Sequence, residues 1–150
     1  MLAIASDHAG FALKQILVKH LADQGYAVDD LGCHSTESVD YPVYAMKVCK
    51  GVVEGRYERG ILVCGTGLGM SMVANKVPGI RAALCNDCYC VEMTRKHNDA
   101  NVLCLGGRVL GDELAKRIVD IYMTTEFSTG ENHIRRLLMM KDLEEHGIPS

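Results

Sequence analysis

The chain has 150 residues, enough for one hydrophobic core that buries roughly 70% of the unfolded surface without covalent staples. Sixteen Lys and Arg against nineteen Asp and Glu leave a net charge of −3, and no basic run or aromatic-studded basic strip is present, which argues against nucleic acid as a partner. No apolar run approaches the ~18 residues of a membrane span, no leader pattern opens the chain, and seven scattered cysteines, an odd number, read as reduced thiols of a cytoplasmic protein.

Leu2 to Ser6 is a short apolar strand, ended by Asp7-His8-Ala9-Gly10. Leu13, Ile16, Leu17 and Leu21 then recur at helical spacing, with Lys14, Lys19 and Asp23 opposite, until Gly25 stops the helix. Tyr26 to Leu31 reads as a second strand, followed by a polar loop to Tyr41 and a helix opened by Pro42, with Ala45, Val48, Cys49 and Val52 as its stripe. Ile61 to Val63 is a β-branched apolar run, a buried third strand, broken by Gly65, Thr66, Gly67 and Gly69 before a helix-compatible segment. The fourth strand is Ile80 to Cys85 after the turn signal Pro78-Gly79, and a helix through Tyr89 to Lys96 follows. Asn101 to Leu105 is the fifth strand, Asp112 is placed to cap the next helix, with Leu114, Ala115, Ile118, Val119 and Tyr122 as its stripe, and Glu131 to Glu145 forms a C-terminal helix. No repeat, low-complexity tract or linker divides residues 1–150, which read as one domain.

Strands alternating with helices specify an α/β fold: a three-layer, Rossmann-like (flavodoxin-like) arrangement with a five-stranded parallel sheet, for which the order 2-1-3-4-5 is expected. Ligands of such sheets bind beyond the strand carboxyl ends where the order reverses, between strands one and three. Asp7-His8 and Cys64 with its glycine turn therefore share one crevice. Amides left bare by the glycines, with a helix start behind them, suit an anion. A single cysteine is ordinarily a small core hydrophobe, but one beside a helix N-terminus is favoured as thiolate.

Common phosphate and nucleophile motifs do not fit. A dinucleotide fingerprint requires Gly where Met70 stands, a Walker A loop requires a terminal Gly-Lys-Ser/Thr, and a hydrolase elbow requires Gly-x-Ser-x-Gly. A cysteine phosphatase loop requires an early arginine, and none precedes Arg81. A carboxylate, an imidazole, a thiol and an anion site together suit proton transfer on a small anionic substrate. His97 enters strand five from the opposite end, so it reaches that crevice only through a second subunit or the end of the preceding helix. Cys85-x-x-Cys88 with Cys90 has metal-like spacing but no second Cys/His pair, so no metal site is expected; a redox pair is the other reading, and packing accounts for it better.

Five motifs, in order, carry a resemblance. Ser6-Asp7-His8-Ala9-Gly10, Ser38-Val39-Asp40-Tyr41-Pro42, Cys64-Gly65-Thr66-Gly67-Leu68-Gly69-Met70-Ser71, Ala74-Asn75-Lys76-Val77-Pro78-Gly79-Ile80-Arg81-Ala82 and Arg95-Lys96-His97-Asn98-Asp99-Ala100-Asn101 resemble the ribose-5-phosphate isomerase type B family, which also holds galactose- and allose-6-phosphate isomerases. The resemblance implies a homodimer or homotetramer with sites shared between subunits, acting on a sugar phosphate without metal or cofactor. By position it implies Cys64 as the base moving a proton between C1 and C2, and the loop of Gly65, Gly67, Gly69 and Ser71 as the enediolate's anion hole. It further implies Thr66 and His97 in ring opening, Asp7, Tyr41 and Asn98 on sugar hydroxyls, and His8, Arg108 and Arg136 on phosphate. Ribose 5-phosphate is the expected substrate, with allose or galactose 6-phosphate as the alternative and a non-catalytic sugar-phosphate-binding module as the reading from another class. One departure stands out: many family members read Gly-Gly-Arg-His where this chain has Gly130-Glu131-Asn132-His133, which opens the question of sugar length and of compensation by Arg135.

Overall fold

The computed structural model describes all of residues 1–150. The elements run β1 (Leu2–Ser6), α1 (Phe11–Asp23), β2 (Val28–Asp30), α2 (Tyr41–Val53), β3 (Arg59–Cys64), α3 (Leu68–Ala74), β4 (Ala82–Leu84), α4 (Cys88–Asn98), β5 (Val102–Gly106), α5 (Asp112–Thr124) and α6 (Glu131–His146). All strand pairs are parallel. The expected α/β class and Rossmann-like layering hold.

The strand order is 2-1-3-5-4, not 2-1-3-4-5. The physical reason lies in the last two strands. A strand covered by helices on both faces needs an unbroken apolar run, and Val102–Gly106 is buried at all five positions. Ala82–Leu84 is three half-buried residues, suited to an edge. Inserting β5 between β3 and β4 reverses the direction of travel across the sheet, and a right-handed crossover then puts α4 on the opposite face from α3. Accordingly α4 packs against α5 on one face and α3 against α2 on the other.

Alternation along each strand divides the core in two. Leu2, Ile4, Ile61, Val63, Leu103 and Leu105 face α1 and α5, meeting Leu13, Leu17, Ile118 and Tyr122. Ala3, Ala5, Leu62, Cys64, Val102 and Cys104 face α2 and α3, meeting Val48, Cys49, Met70 and Ala74. Three local expectations are corrected. Strand two is shorter than Tyr26 to Leu31: Tyr26 N–H turns back to Leu21 O at 3.1 Å, while Ala27 O and Leu31 N–H still bond to β1 on either side of Val28–Asp30. Gly111, not Asp112, is the cap of α5; Asp112 lies in the first turn, where its charge favours the positive helix end. Leu114 of the expected stripe is 39% exposed.

Helix α6 buries no residue, and Ile134, Leu138, Met139, Met140 and Leu143 of it stay exposed. Lys14 is the reverse case, a fully buried cation. It pairs with Asp30 at 2.5 and 2.7 Å, and Asp30 also accepts Gly32 N–H at 3.0 Å. Gly32 O in turn accepts Ser6 N–H at 2.7 Å, so this ion pair fixes where the chain leaves β2 beside the end of β1.

Candidate active site

Ser6 and Val63 are register partners, so the loops after β1 and β3 leave the sheet side by side at its carboxyl end, at the point where strand order reverses. Asp7 N–H donates to Val63 O at 3.1 Å. Its Oδ1 accepts Gly10 N–H at 3.0 Å, which closes the turn. The two loops approach so closely that a Cβ at Gly10 would fall 2.4 Å from Val63 O. Asp7 is thereby held 6% exposed at the base of the crevice.

Cys64 ends β3 and is 4% exposed. Its Sγ accepts Gly67 N–H at 3.1 Å. That contact depends on Gly67 turning through φ +80°, where a Cβ would lie 2.5 Å from Leu84 Cδ1, so only glycine fits. Leu68 N–H is taken by Thr66 Oγ1 at 3.2 Å, and Ser71 N–H by Gly67 O at 3.1 Å. The amides of Gly65, Thr66, Gly69 and Met70 have no acceptor within the protein. The amides left free for a ligand are thus these four, not the whole run to Ser71; the Ser71 hydroxyl donates to Leu68 O at 2.7 Å.

Three other thiols, Cys49, Cys85 and Cys104, are buried in the core. Burial pushes Cys49 up to about 11 and Cys85 up to about 12, and holds Cys104 well above the ordinary thiol value, which makes them poor nucleophiles at neutral pH. Cys90 N–H is taken by Asp87 Oδ1 at 2.7 Å in the cap of α4, and no group of three or more His, Cys, Asp and Glu is arranged to hold a metal ion. The Cys85-Cys88-Cys90 run is a strand end and a helix start.

Three more side chains complete the rim. His8 Nδ1 accepts Val39 N–H at 3.2 Å, so in the neutral ring the proton sits on Nε2. Tyr41 packs on Gly69, where a Cβ would meet its ring at 2.6 Å. Arg108 is tied by its own N–H to Gly65 O at 3.0 Å, and its guanidinium comes within 3.6 Å of a Cβ position on Gly65. The carboxyl end of the sheet therefore gathers Asp7, His8, Tyr41, Cys64, Gly65, Thr66, Gly67, Gly69 and Arg108.

His97, Asn98 and Arg136 lie elsewhere. Helix α4 runs antiparallel to the strands and brings His97 and Asn98 to the amino end of β4, where Arg81 Nε donates to Asn98 O at 2.9 Å. The five residues of β5 separate the two ends by about 13 Å. His97 stacks on His133 with ring centroids 4.3 Å apart and planes 10° from parallel. Desolvation, then the His97 ring and the Arg136 charge, hold His133 below the ordinary imidazole value. His133 joins this cluster although the sequence motifs assigned it no role; the signals for it were its place in Gly130-Glu131-Asn132-His133 and the i, i+3 spacing to Arg136 on a shared helix face. Arg135 Nη1 donates to Asn132 Oδ1 at 3.1 Å, so the two residues at the unusual position engage each other.

The fold is that of a sugar-phosphate isomerase, and a thiol, a carboxylate, an imidazole and free amides lie together at the switch point of its 2-1-3-5-4 sheet. The sequence model of the Ribose/Galactose Isomerase family matches residues 2–140, and the chain belongs to that family of enzymes interconverting aldoses and ketoses. It is 46% identical to ribose-5-phosphate isomerase B of Escherichia coli over 134 residues, 89% of this chain and 90% of that one. It is 44% identical to the D-erythrulose-4-phosphate isomerase of Pectobacterium atrosepticum over 130 residues, 86% of each chain. The structure of Clostridium thermocellum ribose-5-phosphate isomerase B matches with a TM-score of 0.94 at 49% identity, covering 96% of this chain and 97% of that one. No helix is long and apolar enough to cross a membrane.

Proposed function

We propose that residues 1–150 act as one domain that converts ribose 5-phosphate to ribulose 5-phosphate, with Cys64 as the base. The observation that carries the reading is the Cys64 sulfur, 3.1 Å from Gly67 N at the edge of a loop with four unpaired amides. Aldose–ketose isomerisation removes a weakly acidic C–H proton and leaves charge on oxygen, which calls for a base beside fixed donors.

In the first step the sugar ring opens: the anomeric O1 loses its proton and the ring oxygen gains one, with Thr66 and His97 as the assisting groups. The Cys64 thiolate then takes the C2 proton. The electrons of that bond form the C1–C2 double bond, and the C1 carbonyl electrons move onto O1, where free loop amides donate to the enediolate. The Cys64 thiol returns the proton to C1, and transfer of the O2 proton to O1 leaves the C2 carbonyl and the C1 hydroxyl. One such donor is worth roughly 3 to 4 kcal/mol in rate, more than the ~1 kcal/mol of a helix-end charge effect. Asp7, Tyr41 and Asn98 hold hydroxyls; His8, Arg108 and Arg136 bind the phosphate.

Because His97 and Asn98 lie at the amino end of the sheet, with Arg136 near the His133 ring that stacks on His97, while Cys64 ends β3 at the carboxyl end and β5 spans about 13 Å between the two, the site is completed by a neighbouring copy, in a homodimer or homotetramer. The seven free thiols suit a reducing, cytoplasmic setting. The test is a panel of four-, five- and six-carbon sugar phosphates assayed in chelator. Highest kcat/KM on ribose 5-phosphate is expected; a six- or four-carbon preference overturns the substrate. Binding without turnover on any of them overturns the enzyme mechanism, and activity that vanishes in chelator and returns with a divalent ion contradicts the cysteine route.

A further inference from the structure

Helix α4 ends at a residue in a conformation that side chains rarely adopt. Asp99 has φ 46° and ψ 46°, the left-handed region where glycine is the usual helix terminator. Glycine would end the helix there without strain, so an aspartate needs another reason. Its side chain is gripped from two elements. Arg95, in α4 and 4% exposed at its side chain, donates from Nη1 to Asp99 Oδ1 at 2.9 Å. Arg81, from the segment before β4, donates from Nη2 to Asp99 O at 2.9 Å and to Oδ2 at 3.4 Å.

Both guanidiniums continue into the surrounding backbone. Arg81 Nε holds Asn98 O at 2.9 Å, while Arg95 reaches Ala100 O at 2.8 Å and Thr125 O at 3.1 Å. The bonds to Asn98 O, Asp99 and Ala100 O clamp the turn that directly follows His97, and the bond to Thr125 O anchors Arg95 on the end of α5. The same region receives Ser128 N–H on Lys96 O at 3.1 Å, which ties in the segment leading to α6 and its His133.

We infer that Asp99 is a positioning residue: by bridging Arg81 and Arg95 it fixes the backbone from which His97 and Asn98 serve the neighbouring copy's site. The inference rests on the function proposed above, and it predicts a selective lesion. His97 assists ring opening, whereas proton transfer at carbon needs Cys64 and the loop amides. Ribulose 5-phosphate carries its phosphate on O5 and so has no hydroxyl with which C2 could close a five-membered ring. Exchange of its C1 proton with solvent therefore bypasses ring opening, while conversion of ribose 5-phosphate does not.

Two variants separate the side chain from the backbone. Asp99→Gly keeps the left-handed turn and removes the carboxylate bridge between Arg81 and Arg95; Asp99→Asn keeps shape and turn tolerance and removes the charge. The readouts are kcat for ribose 5-phosphate, deuterium uptake from solvent at C1 of saturating ribulose 5-phosphate, and the thermal midpoint. In Asp99→Gly, aldose conversion is expected to fall about 10- to 100-fold, the scale of a misplaced catalytic group, with Asp99→Asn intermediate and deuterium uptake within about twofold of the unaltered protein. A proportional fall in conversion and exchange, or conversion within about twofold in folded Asp99→Gly, overturns the inference. Should Asp99→Gly fail to fold, Asp99→Asn decides by the same ratio. Absence of ribose 5-phosphate conversion in the unaltered protein overturns the isomerase reading and this inference with it.

Discussion

The two ends of the sheet are built from different materials. At the carboxyl end the chemistry sits on backbone: Cys64 is nearly buried, its partner is the Gly67 amide, and close approach at Gly10 and Gly67 excludes any side chain. At the amino end it sits on side chains of helix ends, with His97 half-buried, Asn98 and Arg136 exposed, and α6 burying nothing. The first arrangement is complete and rigid within one chain, as electrostatic preorganisation requires. The second is a set of basic and polar groups on helix ends, beside a cavity of about 830 Å³ lined by Arg81, Asn98, Ile134 and Leu138. The apolar residues around them, Ile134, Leu138 and Met140 of α6, and those flanking the crevice, Met46, Leu68 and Met72, are exposed as well. Surfaces of that kind call for cover, and under the proposed function a second copy is the partner that would cover them and join the two halves.

The sharpest way to break this contrast is at the backbone-built end. Cys64→Ser keeps volume and the loop, but a hydroxyl is a far weaker base near neutral pH. Turnover is expected to fall ~10² to 10⁴-fold, with phosphate binding retained and stability changed by about 1 kcal/mol or less. The checks are kcat and the thermal midpoint with and without ligand; near-native kcat contradicts the cysteine base.

At the side-chain end the expected effects are smaller. Asn132→Arg adds a guanidinium beside His133 and Arg136, and one charge-assisted bond to phosphate lowers KM for the preferred substrate about tenfold. The comparison of KM across sugar lengths shows which length the added arm suits; unchanged KM for all lengths removes position 132 from phosphate binding. The smallest effect is on stability. His133 has a depressed pKa in the folded chain, through desolvation and then the His97 ring and Arg136. The unfolded chain therefore takes up this proton more readily, so the contribution is intact above the ordinary value of about 6.5 and is lost as pH falls through the lower folded value. Thermal midpoints measured downward from pH 8 should fall less steeply in His133→Gln; parallel curves contradict the assignment.

Much of the carboxyl end was legible because strand-end chemistry is local. Asp7-His8 and Cys64 each follow an apolar run, and parallel pairing of β1 with β3 suffices to bring them together. Less was legible where the outcome depends on competition between neighbours. The order of β4 and β5 follows from which strand can bear two covered faces, a comparison of Val102–Gly106 with Ala82–Leu84 that the presence of strands alone does not settle. Ser71 looked available on sequence, yet a hydroxyl one turn into a helix finds the Leu68 carbonyl first. The stacking of His97 on His133 joins residues on α4 and α6, and no periodicity within either helix encodes it.

The claim that the two ends meet across chains is tested most directly by complementation. Cys64→Ala damages only the carboxyl-end half and Arg136→Ala only the amino-end half. Each protein alone is expected to be nearly inactive. After subunit exchange, equal mixtures of a dimer give half mixed pairs, each with one intact site, so about a quarter of the native activity should return. No recovery after verified exchange would show that each chain completes its own site, and would contradict the account.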